Sequence, residues 1–183
     1  KGAMLSHNNF VANITGLVSA WAMTADDALL LALPLFHTHG LGVALHGALT
    51  VGATTILHRA FRAERALDAW LGENITLFMG VPTMYVRILE EIAKRGMSRV
   101  NVPRMRLFVS GSAPLSVETF EQFEKMFGQK ILERYGMTET VMNISNLYAG
   151  ARIPGAVGVP LPGVSARVVR RADDLAFYAN DVL

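Results

Sequence analysis

The chain has no cysteine, which excludes a disulfide framework and thiolate chemistry. Charge is also scarce. Asp, Glu, Lys and Arg make up 17% of the 183 residues, where a self-contained soluble domain carries about a quarter. The balance is only +2, too small to argue for nucleic acid or an anionic membrane surface as a partner. No apolar run reaches the roughly 20 residues of a membrane span. The N-terminal Ser6-His7-Asn8-Asn9 is polar where a secretory leader would be apolar. No internal repeat is present. A cytoplasmic setting is the expectation these absences leave.

What the chain has is apolar residues, 51% of the total. The surplus reads as a piece of a larger protein whose former interfaces count as surface, so self-association through such faces is expected. The length is ample for a buried core. Strand and helix patterns alternate. Phe10, Val11, Ile14, Leu17, Val18 and Trp21 recur at helical spacing, from the cap-type Ser6 to about Met23. Ala28–Leu33 is a continuous apolar run stopped by Pro34, the pattern of a buried parallel strand. The same reading gives strands at Ala53–Leu57, Ile75–Met79, Met105–Val109, Lys130–Leu132 and Val164–Val169. It gives helices at Leu41–Leu49, Ala63–Leu71, from Pro82 through Ile92, and from Ser116 through Phe127. Ala149–Gly163 reads as a Gly/Pro-rich loop. The expected fold is α/β, a mostly parallel sheet with helices on both faces. In such sheets ligands bind beyond the carboxyl ends of the strands, here Pro34–Gly40, Gly80–Thr83, Ser110–Pro114 and Tyr135–Glu139.

One of those ends carries the densest chemistry. In Leu132-Glu133-Arg134-Tyr135-Gly136-Met137-Thr138-Glu139-Thr140, Tyr135 can stack on a base and Thr138 can donate to a phosphate oxygen. Glu139 can hold Mg²⁺, a hard cation that takes oxygen ligands. Gly136 lets the backbone approach a ligand. Alone, this stretch reads equally as a strand end with a polar turn. His37 and His39 could form a metal pair, but zinc needs a third protein ligand and none is offered nearby. His7, His46 and His58 read as structural or solvated.

Four ordered segments decide between these readings: Lys1-Gly2-Ala3-Met4-Leu5-Ser6-His7, Pro34-Leu35-Phe36-His37-Thr38-His39-Gly40, Gly111-Ser112-Ala113-Pro114-Leu115, and Tyr135-Gly136-Met137-Thr138-Glu139. Together they resemble the motifs of the adenylate-forming superfamily of acyl-CoA synthetases, luciferases and adenylation domains, over residues 1 to 169. The wording around His37, Ser112 and Tyr135 is most similar to malonyl-CoA synthetases.

The resemblance implies part of that superfamily's large N-terminal domain, with the phosphate loop cut before Lys1. The mobile C-terminal domain is expected to be absent, and residues 170–183 are an unassigned tail. The implied reaction activates a carboxylate with ATP and Mg²⁺ as an acyl-adenylate, then passes it to coenzyme A. Lys1, His37, Thr138 and Glu139 are the implied catalytic residues, with Glu139 on the metal. Ser112, Ala113, Pro114, Glu133, Tyr135, Gly136 and Thr138 would hold the nucleotide. Thr38, His39, Ser110, Gly111, Met137 and an arginine would face the acid. A small dicarboxylate such as malonate needs a cation for its second carboxylate, and arginine binds one bidentately. Arg87 and Arg134 are the candidates, and Arg87 is preferred because its helix starts at a strand end bordering the site. The rival readings are another acyl- or aryl-CoA synthetase and a truncated, non-catalytic nucleotide-binding module. By itself the chain is expected to be inactive.

Overall fold

A computed structural model describes residues 2–167. The expectations for Lys1, for the tail 170–183 and for the end of the Val164–Val169 strand lie outside the described residues. Residues 164–167 form no strand.

Seven strands form one sheet in the order β2-β1-β3-β4-β5-β6-β7. They are β1 (Ala28–Leu31), β2 (Thr54–Leu57), β3 (Leu77–Gly80), β4 (Leu107–Ser110), β5 (Leu132–Tyr135), β6 (Ile144–Ser145) and β7 (Val159–Pro160). The first five are parallel to one another. β6 and β7 add an antiparallel edge. The helices are α1 (His7–Ala20), α2 (His46–Val51), α3 (Ala63–Gly72), α4 (Pro82–Lys94) and α5 (Val117–Phe127). A π-helical segment, His39–Leu45, runs directly into α2. One group packs α1 with α2 and the π segment, and another packs α3, α4 and α5 together. Every residue of β1, β3 and β4 is buried, as a sheet covered on both faces demands.

The amino ends of the strands are pinned by one network. The Asp27 carboxylate accepts from the Thr24 N–H at 2.9 Å, the Thr76 hydroxyl at 2.7 Å and Arg106 Nε at 2.7 Å. Arg106 also donates to the carbonyls of Trp21 and Ala22 and lies over the Tyr148 ring. Thr76 Oγ1 in turn accepts from the Ala28 N–H. Residues entering β1, β3 and β4 therefore share one ion pair.

Aromatic packing fills the layer between the sheet and α3–α5. Trp70, Phe78, Phe108, Phe123 and Phe127 interlock edge-on or stacked, with centroids 4.8 Å apart for Trp70–Phe78 and 4.2 Å for Phe123–Phe127. Such pairs contribute about 0.5–1.5 kcal/mol each beyond their burial. Tyr85, on α4, donates its hydroxyl to the Val109 carbonyl at 2.7 Å, fixing the start of α4 against the end of β4. On the other side, α1 reaches the segment after the central motif. Asn13 donates to the Met142 carbonyl at 2.5 Å, and Trp21 Nε1 donates to Ser145 Oγ at 2.8 Å.

Most elements stand where periodicity puts them; beyond the strand not formed at 164–167, the expected Leu41–Leu49 helix begins as the π segment and turns α-helical only at His46, and two strand regions differ. The fifth strand was expected to end at Leu132 but runs through Leu132–Tyr135, so half of the central motif is strand. The stretches around β6 and β7 hold two-residue strands, too short for any alternation to register.

Candidate active site

A cleft of about 600 Å³ opens at the carboxyl ends of the parallel strands, within the size range of small-molecule sites. All four expected strand ends contribute. The first brings Pro34, His37, Thr38 and His39, the second Val81 and Met84, the third Ser112, and the fourth Arg134, Gly136, Met137, Thr138 and Glu139. Val43, Val141 and Met142 add an apolar lining that the motifs did not announce.

The deepest polar group is Arg134. Its residue is only 5% exposed, and Nε and Nη2 have no partner among the described residues. Burial pushes the guanidinium down to about 10, since no carboxylate compensates it. His39 is buried on the same wall, with Nδ1 3.1 Å from Ser112 Oγ and Nε2 unpartnered. Burial, and then the Arg134 charge, hold its pKa well below the ordinary imidazole value. The ring is therefore neutral near pH 7. Ser110, at the end of β4, is buried with its hydroxyl unpaired. A buried unpartnered group costs stability, and Arg134 and His39 together on one wall form a surface suited to an oxygen-rich anion; Ser110, expected to face the acid, does not line the cleft and sits in register with Glu133, on the other face of the sheet from Arg134.

The mouth is more open. His37 lines it, with its ring 4.6 Å from the exposed Phe36 ring. Tyr135 does not itself line the cleft; it is 47% exposed, and its hydroxyl meets Met137 Sδ at 3.6 Å. The turn after it is held by Asn143, whose N–H donates to the Tyr135 carbonyl and whose Oδ1 accepts from Thr140 Oγ1 at 2.6 Å. Glu139 is exposed at the rim and makes no ion pair among the described residues. A single free carboxylate fits Mg²⁺, which is held by one or two carboxylates together with substrate phosphates. No group of three His, Asp or Glu residues able to hold a metal exists among the described residues, so the His37–His39 pair has no third ligand.

Several expected residues stand elsewhere. Arg87, the preferred reader of a second carboxylate, is exposed and lines a separate surface groove with Arg62, Glu64, Glu90 and Lys94. Its helix turns it away from the cleft that Met84, one turn earlier, enters. Arg134, the other candidate, lines the cleft. Glu133 does not line the cleft. Its carboxylate accepts from the Gly155 N–H at 3.0 Å, and burial raises its pKa, partly offset by the Gly155 and Leu115 N–H groups. It thereby ties the loop before α5 to the segment around Gly155. Gly136, by contrast, does line the cleft, and a side chain there would also overlap the Val141 carbonyl and stand 3.0 Å from Met142 Cα. Its bareness serves the returning chain. Ala113 and Pro114 lie exposed on the loop after β4, while Gly111 is buried beside Arg134.

The chain belongs to the AMP-binding enzyme family, whose model matches residues 1–176. Among solved structures, ATP-bound MatB of Rhodopseudomonas palustris superposes with a TM-score of 0.84 at 48% identity, covering 92% of this chain and 32% of that one. The mitochondrial malonate–CoA ligase of Mus musculus is 42% identical over 180 residues, 92% of this chain and 31% of the relative. The long-chain-fatty-acid–CoA ligase of Bacillus subtilis is 31% identical over 172 residues, 92% of this chain and 30% of that protein. The chain thus spans about a third of the length of the relatives it matches. No helix among the described residues is long and apolar enough to cross a membrane.

Proposed function

We propose that the protein carrying this chain joins a small dicarboxylic acid, malonate in first place, to coenzyme A with ATP. In the first step a carboxylate oxygen attacks the α-phosphorus, forming the acyl-adenylate and releasing pyrophosphate. In the second the thiol sulfur takes the acyl carbon, AMP leaves and the thiol proton is lost. Both anions in the first step repel each other, so the site's part is positioning and fixed donors.

The single observation that carries the dicarboxylate is Arg134, a buried guanidinium on the cleft wall with Nε and Nη2 unpaired. It would take the carboxylate that does not react. Thr38 and Met137 on the walls would limit chain length and branching. An alkyl chain in the same place would leave the guanidinium buried without a counter-charge, which argues against a fatty acid. His37 at the mouth would stand between the reacting carboxylate and the α-phosphate. Thr138 would donate to a phosphate oxygen, and Tyr135 with the Ser112–Pro114 loop would flank the base. When bound at Glu139, Mg²⁺ would neutralise phosphate oxygens. The mouse relative's name, malonate–CoA ligase, and the ATP bound to the R. palustris neighbour support this choice of chemistry. The mouse relative's name places it in the mitochondrion, so the cytoplasmic expectation draws no support from it.

A panel of acids given to the intact protein with ATP, Mg²⁺ and coenzyme A tests the reading. Malonate should exceed propionate in kcat/KM by at least ~100-fold, the scale on which sites built for a polar group reject analogues lacking it. Arg134→Ala should erase that preference and Arg87→Ala should keep it. Equal use of malonate and propionate by the unmodified protein would overturn the proposal.

A further inference from the structure

We propose that Gly111 is a specificity-determining residue: its missing side chain is the passage through which the Arg134 guanidinium reaches the acid pocket. The inference rests on the reading of Arg134 just given and extends it to a residue that has no side chain of its own to offer.

β4 and β5 run parallel with Ser110 beside Glu133. The next residues along each strand, Gly111 and Arg134, are therefore neighbours across the sheet. A methyl group on Gly111 would overlap Arg134 Nε, and would stand 2.5 Å from Cζ and 2.8 Å from Cδ. Non-bonded heavy atoms settle at about 3.5–4.0 Å. The overlap runs from Cδ to the head of the guanidinium, so swinging only the tip does not relieve it. Its open side is the cleft itself, so the stem can yield only by displacing the guanidinium within the acid pocket. The backbone does not ask for glycine here, since Gly111 is absent from the positive-φ glycines of the chain. Alanine is conformationally allowed. What glycine alone supplies is a bare stretch of backbone on which the arginine stem lies flat. A Cβ at 111 forces the guanidinium off that bed and spoils the alignment a bidentate carboxylate contact needs.

The test uses the intact protein carrying Gly111→Ala, Arg134→Ala or both, with kcat/KM for malonate and propionate and calorimetric affinity for ATP. Gly111→Ala should cut malonate kcat/KM by roughly 100-fold, with ATP affinity and propionate use nearly unchanged. In the Arg134→Ala background, where nothing is left to collide with, Gly111→Ala should add no further loss of preference, the non-additivity of two residues acting as one. If Arg134→Ala leaves the malonate preference intact, the reading of Arg134 falls. If Arg134→Ala removes the preference but Gly111→Ala keeps it, only the role of Gly111 falls. Should Gly111→Ala lose ATP binding or fail to fold, the double variant decides. Recovery of ATP binding and propionate turnover supports the steric coupling, and persistent loss overturns it.

Discussion

Replacing Arg134 with methionine should make the protein more stable and unfit for malonate at once. The guanidinium is 5% exposed with two nitrogens unpaired, and burial lowers it from the ordinary arginine value to about 10. A displacement of that size corresponds to about 3 kcal/mol of cost to the folded state at neutral pH. The sign follows from proton binding. Below about pH 10 the group is charged in both states and the full cost is present. Between there and the unfolded value the folded protein sheds its proton first, so stability from this group rises with pH and the cost disappears above. Methionine of similar length removes the charge and keeps most of the packing. The expected gain at pH 7 without substrate is about 1–3 kcal/mol, in line with apolar replacement of buried charges. The assay is urea unfolding with thermal melting, where each kcal/mol moves the midpoint by a few degrees. The same change should weaken malonate binding by about 30-fold to several thousand-fold, from the roughly 2–5 kcal/mol lost when one partner of a buried charged pair is truncated. A melting temperature equal to or below that of the parent would refute the reasoning, because it would mean the guanidinium already has compensation in the unliganded fold.

Two further outcomes follow from other groups. Asp27→Ala should destabilise by about 3 kcal/mol, the lower end for breaking a buried pair, because the Arg106 side chain retains 24% exposure. Burial raises the Asp27 pKa, but the Arg106, Thr24 and Thr76 hydrogen bonds outweigh it and hold the carboxyl below its usual value. Its contribution is therefore full above about pH 4 and fades as pH falls through the folded value. Urea midpoints from pH 6 to 2 should show that acid loss in the parent and not in Asp27→Asn. Glu139→Gln should raise the Mg²⁺ needed for half-maximal ATP–pyrophosphate exchange by the intact protein at least tenfold, roughly what loss of even a supporting group costs a metal site. An unchanged Mg²⁺ dependence would place the cation on other ligands.

The strand ends were legible because burial on both faces writes continuous apolar runs, Ala28–Leu33 and Met105–Val109 among them, and because Pro34 and Gly80 punctuate their exits. Which of the two arginines lines the cleft was legible too, by a rule that the reading of the motif as a turn set aside. In Leu132-Glu133-Arg134-Tyr135 the residues alternate faces once the segment is strand. Arg134 then shares a face with buried Leu132, while Glu133 and Tyr135 share the other, and a charge on an apolar face is a charge set aside for something. On α4 the opposite logic applies. Arg87, Glu90, Glu91 and Lys94 fall at i, i+3, i+4 and i+7, the stripe of a solvated face, while Met84, Tyr85, Ile88 and Ile92 mark the buried one. A helix that begins at the rim of a cleft directs only its first turn inward, so proximity in sequence to a strand end carried Met84 to the site and left Arg87 outside. What periodicity cannot register is negative space. Nothing in Val-Ser-Gly-Ser distinguishes a glycine required by its own backbone from one required by the residue alongside, and only the β4–β5 register, which sets Gly111 next to Arg134, separates the two.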